Sequence, residues 1–243
     1  KSMPTRAGIP IGDLSSGLYS VIGILSALLS KEKTGIGQNV DISLLDVQIS
    51  LLTYMATMQT LSGKDPEPIG NAHFVHVPYN TFTAQDGFIV IAVITNAFWF
   101  SLLDVVDIDS LRDPKFNDQS GRLANQEFIE QELNNKLVTK SSEHWINALN
   151  QAKVPCSPIN KFSEALADEQ VLHRNVVVEV EHPDGGTVKM PGNPVKLSYT
   201  DEDSYSPPPH LGQHTKEILE SWAGYDSSKI EGLIFNNVVQ SAD

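Results

Sequence analysis

Residues 13–43 decide the fold of the N-terminal part and read DLSSGLYSVIGILSALLSKEKTGIGQNVDIS. Apolar side chains recur in this stretch at helical spacing and also fill the opposite side, which predicts a helix over 14–30 that is buried nearly all round. These side chains are Leu14, Leu18, Ile22, Leu25 and Leu29, with Val21, Ile24 and Leu28 opposite. Charged residues 31–33 followed by two glycines are typical of a helix C-terminus.

The next residues predict a strand and a second helix. Val40 and Ile42 alternate with polar residues, which is the period of a short strand. Ser43 precedes Asp46 by three residues, the spacing of a capping box, and indicates a helix over 44–61. Residues 62–78 are rich in Gly, Pro, Asp, Asn and His, so we expect a loop there.

The rest of the chain alternates short strand and helix patterns, which predicts an α+β arrangement. We expect strands at 80–84 and 88–94 around Gln85-Asp86-Gly87, followed by helices at 97–106, 119–138 and 141–152 and a loop at 154–158. After a helix at 162–168, residues 176–180 and 187–190 are expected to form a hairpin around Asp184-Gly185-Gly186. Two helices, at 213–223 and 227–239, end the predicted order. The short acidic run Asp201-Glu202-Asp203 lies between the predicted hairpin and the last two predicted helices.

Composition excludes several classes of function. A net charge of −13 and a pI near 4.9 leave no basic patch, which argues against a nucleic-acid partner. The single cysteine, Cys156, excludes an internal disulfide and favours a reducing compartment, either the cytoplasm or the mitochondrial matrix. The apolar runs are interrupted by polar residues, so we expect no membrane span.

The first residues, Lys1 to Pro4, show neither an initiator methionine nor a targeting pattern. We therefore expect the natural N-terminus, and any domain before this one, to lie upstream.

Three residue types are candidates for chemistry. Asp13 directly precedes the predicted helix, where an aspartate commonly caps the helix, and a helix N-terminus also stabilises the negative charge that a nucleophilic carboxylate carries. The histidines show no helical spacing typical of a metal site, so no metal is expected. Cys156 lies between prolines without an indicated histidine partner and is interpreted as a packed small residue.

Several motifs, in order along the chain, resemble the class III (CaiB/BaiF) CoA transferase family, and in particular its succinate/hydroxymethylglutarate (glutarate) CoA transferases. They cover nearly the whole chain: GIPIGDLSSGLY at 8–19, EKTGIGQNVDIS at 32–43, GNAH at 70–73, VPY at 77–79, DG at 86–87, VPCSPIN at 154–160 and PPHLGQHT at 208–215.

The resemblance implies an α/β fold of the class III CoA-transferase type that lacks most of its N-terminal Rossmann-like part. It also implies an interlocked homodimer and a small α+β domain inserted into the large one. Mapped onto this chain, residues 1–60 form a large-domain segment with the catalytic aspartate and 61–79 a linker and active-site loop. Residues 80–172 form the small domain, and 173–243 return to the large domain.

For function, the resemblance implies that Asp13 attacks an acyl-CoA, with succinyl-CoA as the expected donor and a dicarboxylate as the expected acceptor. No metal or permanently bound cofactor is implied, because CoA and acyl-CoA are substrates. The loop from Gly70 to Tyr79, which includes Asn71, is expected to be a mobile cover over the substrate. It lacks the glycine run of formyl-CoA transferases, which argues against formate or oxalate.

A dicarboxylate needs a cationic or donor-rich contact for its distal carboxylate, and His73, His76 and Arg6 are the candidates.

Two alternatives remain open. The same family includes α-methylacyl-CoA racemases, in which a comparable aspartate moves a proton together with a histidine from the N-terminal part. The polar residues after Asp13 favour transfer over racemisation. Alternatively, the chain is not an enzyme by itself, but a subunit that needs a CoA-binding partner.

Overall fold

Buried side chains between Val77 and Val154 form the hydrophobic core around which the first of two units is built. The computed structural model describes residues 5–182, 185–200 and 204–242, and the chain divides into the units Lys1–Pro158 and Ile159–Asp243. In the first unit the elements are α1 (Ile11–Thr34), α2 (Leu44–Leu51), α3 (Thr53–Ser62), β1 (Tyr79–Thr83), β2 (Phe88–Ala92), α4 (Asn96–Val106), α5 (Gln119–Ala124), α6 (Gln126–Leu137), α7 (Ser142–Gln151) and β3 (Cys156–Pro158), with 3-10 turns at Asp109–Arg112 and Pro114–Phe116.

The sheet of this unit is antiparallel with strand order β1-β2-β3. The hairpin predicted around Gln85-Asp86-Gly87 is confirmed, because Thr83 pairs with Phe88 across the turn. The predicted loop at 154–158 is partly wrong: β3 pairs with β2 there, and Cys156 lies opposite Ile91. A third strand at this position satisfies backbone groups on the free edge of β2.

Helices α4, α6 and α7 cover the core with apolar faces at helical spacing. Trp99, Leu102 and Val106 of α4 are fully buried, as are Leu133 and Leu137 of α6. Burial of each such side chain contributes about 1.5–3 kcal/mol, so this cluster is the main source of stability in the unit. The helix predicted over 119–138 is confirmed in extent but broken at Asn125 into α5 and α6.

The environment of α1 differs from the predicted one. The helix is present, but of its residues only Ser16 is buried, whereas Leu18 and Ile22 are 67% and 60% exposed. It contacts α2 in its first turn, where a Cβ built on Gly12 would lie 3.1 Å from the side-chain Cδ of Gln48. The prediction of a helix buried all round is therefore wrong for the described residues, since nothing in them covers its apolar sides.

The structure also bears on the expectation that no apolar segment is long enough to span a membrane. By length and composition, α1 is long and apolar enough to cross a bilayer, with a mean hydropathy of 1.4 over 18 residues. Core helices of soluble proteins pass the same test, so this finding alone does not make the protein a membrane protein.

The strand predicted from Val40 and Ile42 is wrong. Residues 36–43 have no regular structure, and the side chain of Val40 packs against Gly23 of α1. The alternating pattern thus reflects packing on a helix and not pairing in a sheet. Ser43 caps α2 as predicted, accepting a hydrogen bond from the N–H of Asp46, but the helix breaks at Leu52, after which α3 begins.

The second unit contains a hairpin and four helices among its described residues. The predicted strands and terminal helices are confirmed, and α9 is an additional helix that was not predicted. The elements are α8 (Phe162–Leu166), α9 (Glu169–His173), β4 (Val177–Glu181), β5 (Thr187–Pro191), α10 (Thr215–Ser221) and α11 (Ser227–Phe235). Asp184 of the predicted turn, the run Asp201-Glu202-Asp203 and Lys1 to Pro4 lie outside the described residues. The proposed division into large and small domains stays a prediction.

Candidate active site

Asp13 lies in the first turn of α1 and is exposed. It is the third residue of the helix, which begins at Ile11 after Pro10, so its interpretation as the N-cap is wrong. Its carboxylate makes no hydrogen bond or ion pair within the described residues, and neither does the backbone N–H of Gly12 or Asp13. An unengaged carboxylate at the positive end of a 24-residue helix is free to act as a nucleophile.

The neighbouring contacts hold this turn in place. Ser16 Oγ donates to the carbonyl oxygen of Gly12 at 2.7 Å, and Gln48 of α2 packs directly against Gly12. A side chain at position 12 would require the Gln48 side chain to shift slightly. Gly12 leaves room for this contact in the turn that carries Asp13.

The loop of residues 70–79 is organised around the ring of His73. Its Nδ1 accepts hydrogen bonds from the backbone N–H groups of Val75 and His76, at 3.0 and 3.1 Å. The His73 ring stacks on Tyr79, with centroids 5.2 Å apart, and the His73 N–H donates to the Tyr79 carbonyl at 3.0 Å. These contacts join residues 73–79 into a hydrogen-bonded turn, and the expectation of a mobile cover stays a prediction.

Two side chains of α5 fasten the same loop to the core. Arg122, fully buried, donates from Nε to the Val77 carbonyl at 2.9 Å, and Gln119 Nε2 donates to the Val75 carbonyl. The remaining guanidinium nitrogens donate to Phe116 O and Asn96 Oδ1, each at 2.9 Å. Every contact of Arg122 in this set is therefore with a neutral acceptor, and its role is to tie the loop to α4 and α5.

The structure brings together only some of the predicted substrate-binding residues. His73 and Tyr79 are in ring contact, and Gly70 and Asn71 form the turn at the start of the same loop, with a left-handed φ of 65° at Gly70. Arg6 is exposed and donates to the neighbouring Ala7 carbonyl. Within the described residues, no hydrogen bond, ion pair or ring contact joins Arg6 or Asp13 to the loop.

The surroundings of His73 disfavour its charged form. Burial lowers the pKa of His73 below its usual value, and the nearby His76 lowers it further because two imidazolium charges would repel each other. A neutral His73 would offer a ligand a hydrogen-bond donor from its other ring nitrogen, which is the donor-rich form of the predicted contact.

Cys156 and the remaining clusters give no further active-site chemistry. The thiol packs against the core as predicted, near the Ile146 carbonyl, and burial raises its pKa, so it is a poor nucleophile. In the ranges that the structure describes, no three His, Cys, Asp or Glu side chains group closely enough to hold a metal ion.

The motif at 208–215 lines a cavity of about 660 Å³ in the second unit. Gly212 is in the left-handed region with φ 81°, and a Cβ there would lie 2.8 Å from the carbonyl oxygen of Gln240. This glycine lets the C-terminal residues return over the motif, and Ile218 and Val239 complete the apolar walls.

Comparison with known proteins identifies the family. The sequence profile described as CoA-transferase family III matches residues 1–215. This chain belongs to that family. Its resemblance to class III CoA transferases, predicted from the motifs, is thereby confirmed.

Several curated relatives are similar to this family III chain over almost its whole length. The human succinyl-CoA:glutarate CoA-transferase is 33% identical over 237 residues, 97% of this chain and 54% of the human protein. An acetyl-CoA:oxalate CoA-transferase of Acetobacter aceti is 34% identical over 223 residues, 90% of this chain and 56% of its own length. The chain thus spans about half the length of the curated relatives it matches.

Solved structures agree with the family III assignment. The crystal structure of a CaiB/BaiF family protein from Brucella suis superimposes with a TM-score of 0.77 and is 31% identical, covering 89% of this chain and 56% of that one. The mixed α/β architecture of the family is therefore present in this chain.

Sequence reasoning missed Arg122 and Gln119, which hold the family III chain's candidate substrate loop. Both lie in a predicted helix of polar composition, where charged and amide side chains normally face solvent. The one available signal is the placement of Gly121 beside Arg122, since a Cβ at 121 would clash with the Lys115 backbone. Gly121 indicates that α5 packs closely against the backbone of Lys115, but it does not identify which neighbouring side chain is buried in the core.

Proposed function

We propose that the protein containing this chain transfers coenzyme A from an acyl-CoA, with succinyl-CoA as the donor, to a dicarboxylic acid. The observation that carries this proposal is the 33% identity to a succinyl-CoA:glutarate CoA-transferase across 97% of the chain. The free, exposed carboxylate of Asp13 at the start of α1 supplies the nucleophile that the chemistry needs.

In the proposed reaction, a carboxylate oxygen of Asp13 attacks the thioester carbonyl and the C–S bond breaks, giving a mixed anhydride and CoA thiolate. The thiolate attacks the Asp13 carbonyl, and the donor acid leaves as a carboxylate. The enzyme then carries CoA as an aspartyl thioester. The acceptor carboxylate attacks this thioester, and the same two steps in reverse release the new acyl-CoA and restore Asp13.

Sequence identity does not distinguish the acceptors, because a relative named for oxalate is as similar to this chain as one named for glutarate. The prediction against oxalate rests only on the missing glycine run at 70–73. Both acceptors are dicarboxylates, so the proposal is made for that class. We further propose that the active protein is a homodimer with an N-terminal CoA-binding part and an inserted small domain, as the resemblance implies.

The test is covalent trapping of CoA on Asp13. The natural full-length protein is incubated with succinyl-CoA, denatured, digested and analysed by mass spectrometry. We expect a CoA adduct on the peptide that contains Asp13, and discharge of the adduct by glutarate. Asp13→Asn abolishes the adduct, whereas Asp46→Asn, which changes another exposed aspartate in the first turn of a helix, retains it.

An adduct on another peptide, or an adduct that persists in Asp13→Asn, would contradict the assignment of the nucleophile. Binding of CoA without any adduct would instead favour the racemase chemistry, which deuterium exchange at the α-carbon of a branched acyl-CoA would reveal.

A further inference from the structure

His73 is held in one protonation state by the backbone around it. Its Nδ1 accepts two hydrogen bonds, from the N–H groups of Val75 and His76, and an atom that accepts from N–H groups cannot itself carry a proton. The proton of the neutral ring is therefore on Nε2. Protonation of Nδ1 would remove both hydrogen bonds and open the turn.

The surroundings of His73 favour this neutral state. The ring lies against Phe74, His76 and Tyr79, at centroid distances of 4.5, 4.6 and 5.2 Å, and Tyr54 packs behind Phe74. None of these groups is an anion that would stabilise an imidazolium, and burial together with His76 lowers the pKa of His73.

The loop offers a ligand hydrogen-bond donors that carry no charge. Residues 70–79 contain no Lys, Arg, Asp or Glu. Within the described residues, Nε2 of His73 makes no hydrogen bond, and the side-chain amide of exposed Asn71 makes none either. Nδ1 is used by the fold, so Nε2 is the ring atom that remains for a ligand.

We propose that His73 is a fixed, uncharged hydrogen-bond donor that binds a carboxylate of the dicarboxylic acceptor through Nε2–H. The inference rests on the proposed function for the identity of the ligand and deepens it by assigning the specificity contact. A neutral hydrogen-bond donor suits a site that must both bind and release carboxylates. It can hydrogen-bond a carboxylate, but it holds the carboxylate less tightly than a buried cation would.

The first test observes the ring directly and needs no catalysis. The full-length protein is labelled with ¹⁵N-histidine, and long-range ¹H–¹⁵N spectra are recorded at pH 7, with His73→Asn to assign the signal. We expect an unprotonated Nδ1 and a protonated Nε2. Addition of glutarate should shift Nε2 and leave Nδ1 unchanged, whereas glutaramide, which lacks the carboxylates, should shift neither.

A protonated Nδ1, or an Nε2 signal that glutarate does not move, would overturn the inference. This result is separable from the proposed function. If glutarate shifts Nε2 but no CoA adduct forms on Asp13, only the transferase proposal is contradicted. If the adduct forms but glutarate does not shift Nε2, only the role of His73 is contradicted.

A pair of variants separates the two ring nitrogens in the active enzyme. His73→Asn retains an acceptor near the position of Nδ1 but lacks the distal donor, while His73→Gln places an amide N–H near the position of Nε2. We expect His73→Asn to raise the KM for glutarate about tenfold or more, with the CoA adduct still forming at saturating succinyl-CoA. His73→Gln should keep the KM within a few-fold but lower the thermal stability. The opposite order of KM effects would refute the assignment.

Discussion

At the scale of single residues, Arg122 has a structural role that its sequence pattern did not predict. Its side chain is fully buried, and its guanidinium donates to four backbone or amide oxygens, at Val77, Phe116, Asn96 and Gln119. Burial lowers the pKa of Arg122, and Asp118 opposes this effect. A charged group in such a position is stable only because each guanidinium nitrogen has a hydrogen-bond partner.

Removal of the Arg122 guanidinium should therefore be costly. Arg122→Met leaves buried carbonyl groups without donors, and we expect it to lower the free energy of unfolding by about 3–5 kcal/mol, measured by urea denaturation. Arg112→Met is the matched control. Arg112 is 42% exposed and forms surface ion pairs with Asp104 and Asp107, so its loss should cost less than about 1 kcal/mol. Equal effects of the two substitutions would contradict the role of Arg122.

At the scale of elements, the turn of the first hairpin is joined to the start of α7. Asp86 Oδ1 accepts a hydrogen bond from the Ser142 N–H at 2.7 Å, which satisfies one of the free N–H groups at that helix terminus. This hydrogen bond is the main reason that the pKa of Asp86 lies below its ordinary value of 3.8. Asp86 thus acts in the hairpin turn and at the N-terminus of the helix.

The lowered pKa of Asp86 predicts a pH dependence of stability. Its contribution is fully present above the unfolded value of about 3.8 and is lost as the pH falls through the lower, folded value. We expect Asp86→Asn to flatten the decrease in the free energy of unfolding as the pH drops below about 4, measured by tryptophan fluorescence in urea. Asp109→Asn, which removes an aspartate that makes no hydrogen bond within the described residues, should keep the wild-type slope. A wild-type slope in Asp86→Asn would show that the hydrogen bond does not form.

At the scale of the whole molecule, the chain leaves the apolar sides of α1 uncovered. Leu18, Ile22 and Leu25 are each more than half exposed, although their spacing is typical of a buried helix. An apolar surface of this kind promotes association in water.

Substitutions on α1 can measure this exposure. In the 243-residue chain, Leu18→Gln should change the free energy of unfolding by less than about 0.5 kcal/mol and should reduce both dye binding and association in sedimentation experiments. Ser16→Leu, at a buried position of α1, should destabilise by about 1–3 kcal/mol. A loss of several kcal/mol in Leu18→Gln would mean that this side chain is covered in solution.

The sequence by itself determined most of the local elements and the family, although it predicted a strand at 40–42 that is absent and did not predict α9. The hairpin around Asp86, the helices from α4 to α7 and the motif around Asp13 follow from periodicity, turn residues and short motifs, which depend on neighbours in the chain. The helix over 14–30 was likewise predicted, and so was the loop at 70–79 as a candidate substrate element.

Only the tertiary structure decided which of these groups are buried and which protons they hold. The burial of Arg122, the fixed Nδ1 of His73, the packing of Val40 on α1 instead of in a sheet, and the exposure of Leu18 each depend on contacts between segments distant in sequence. The physical reason is that burial and protonation depend on which surfaces meet in space, whereas periodicity reports only the surface that each segment offers.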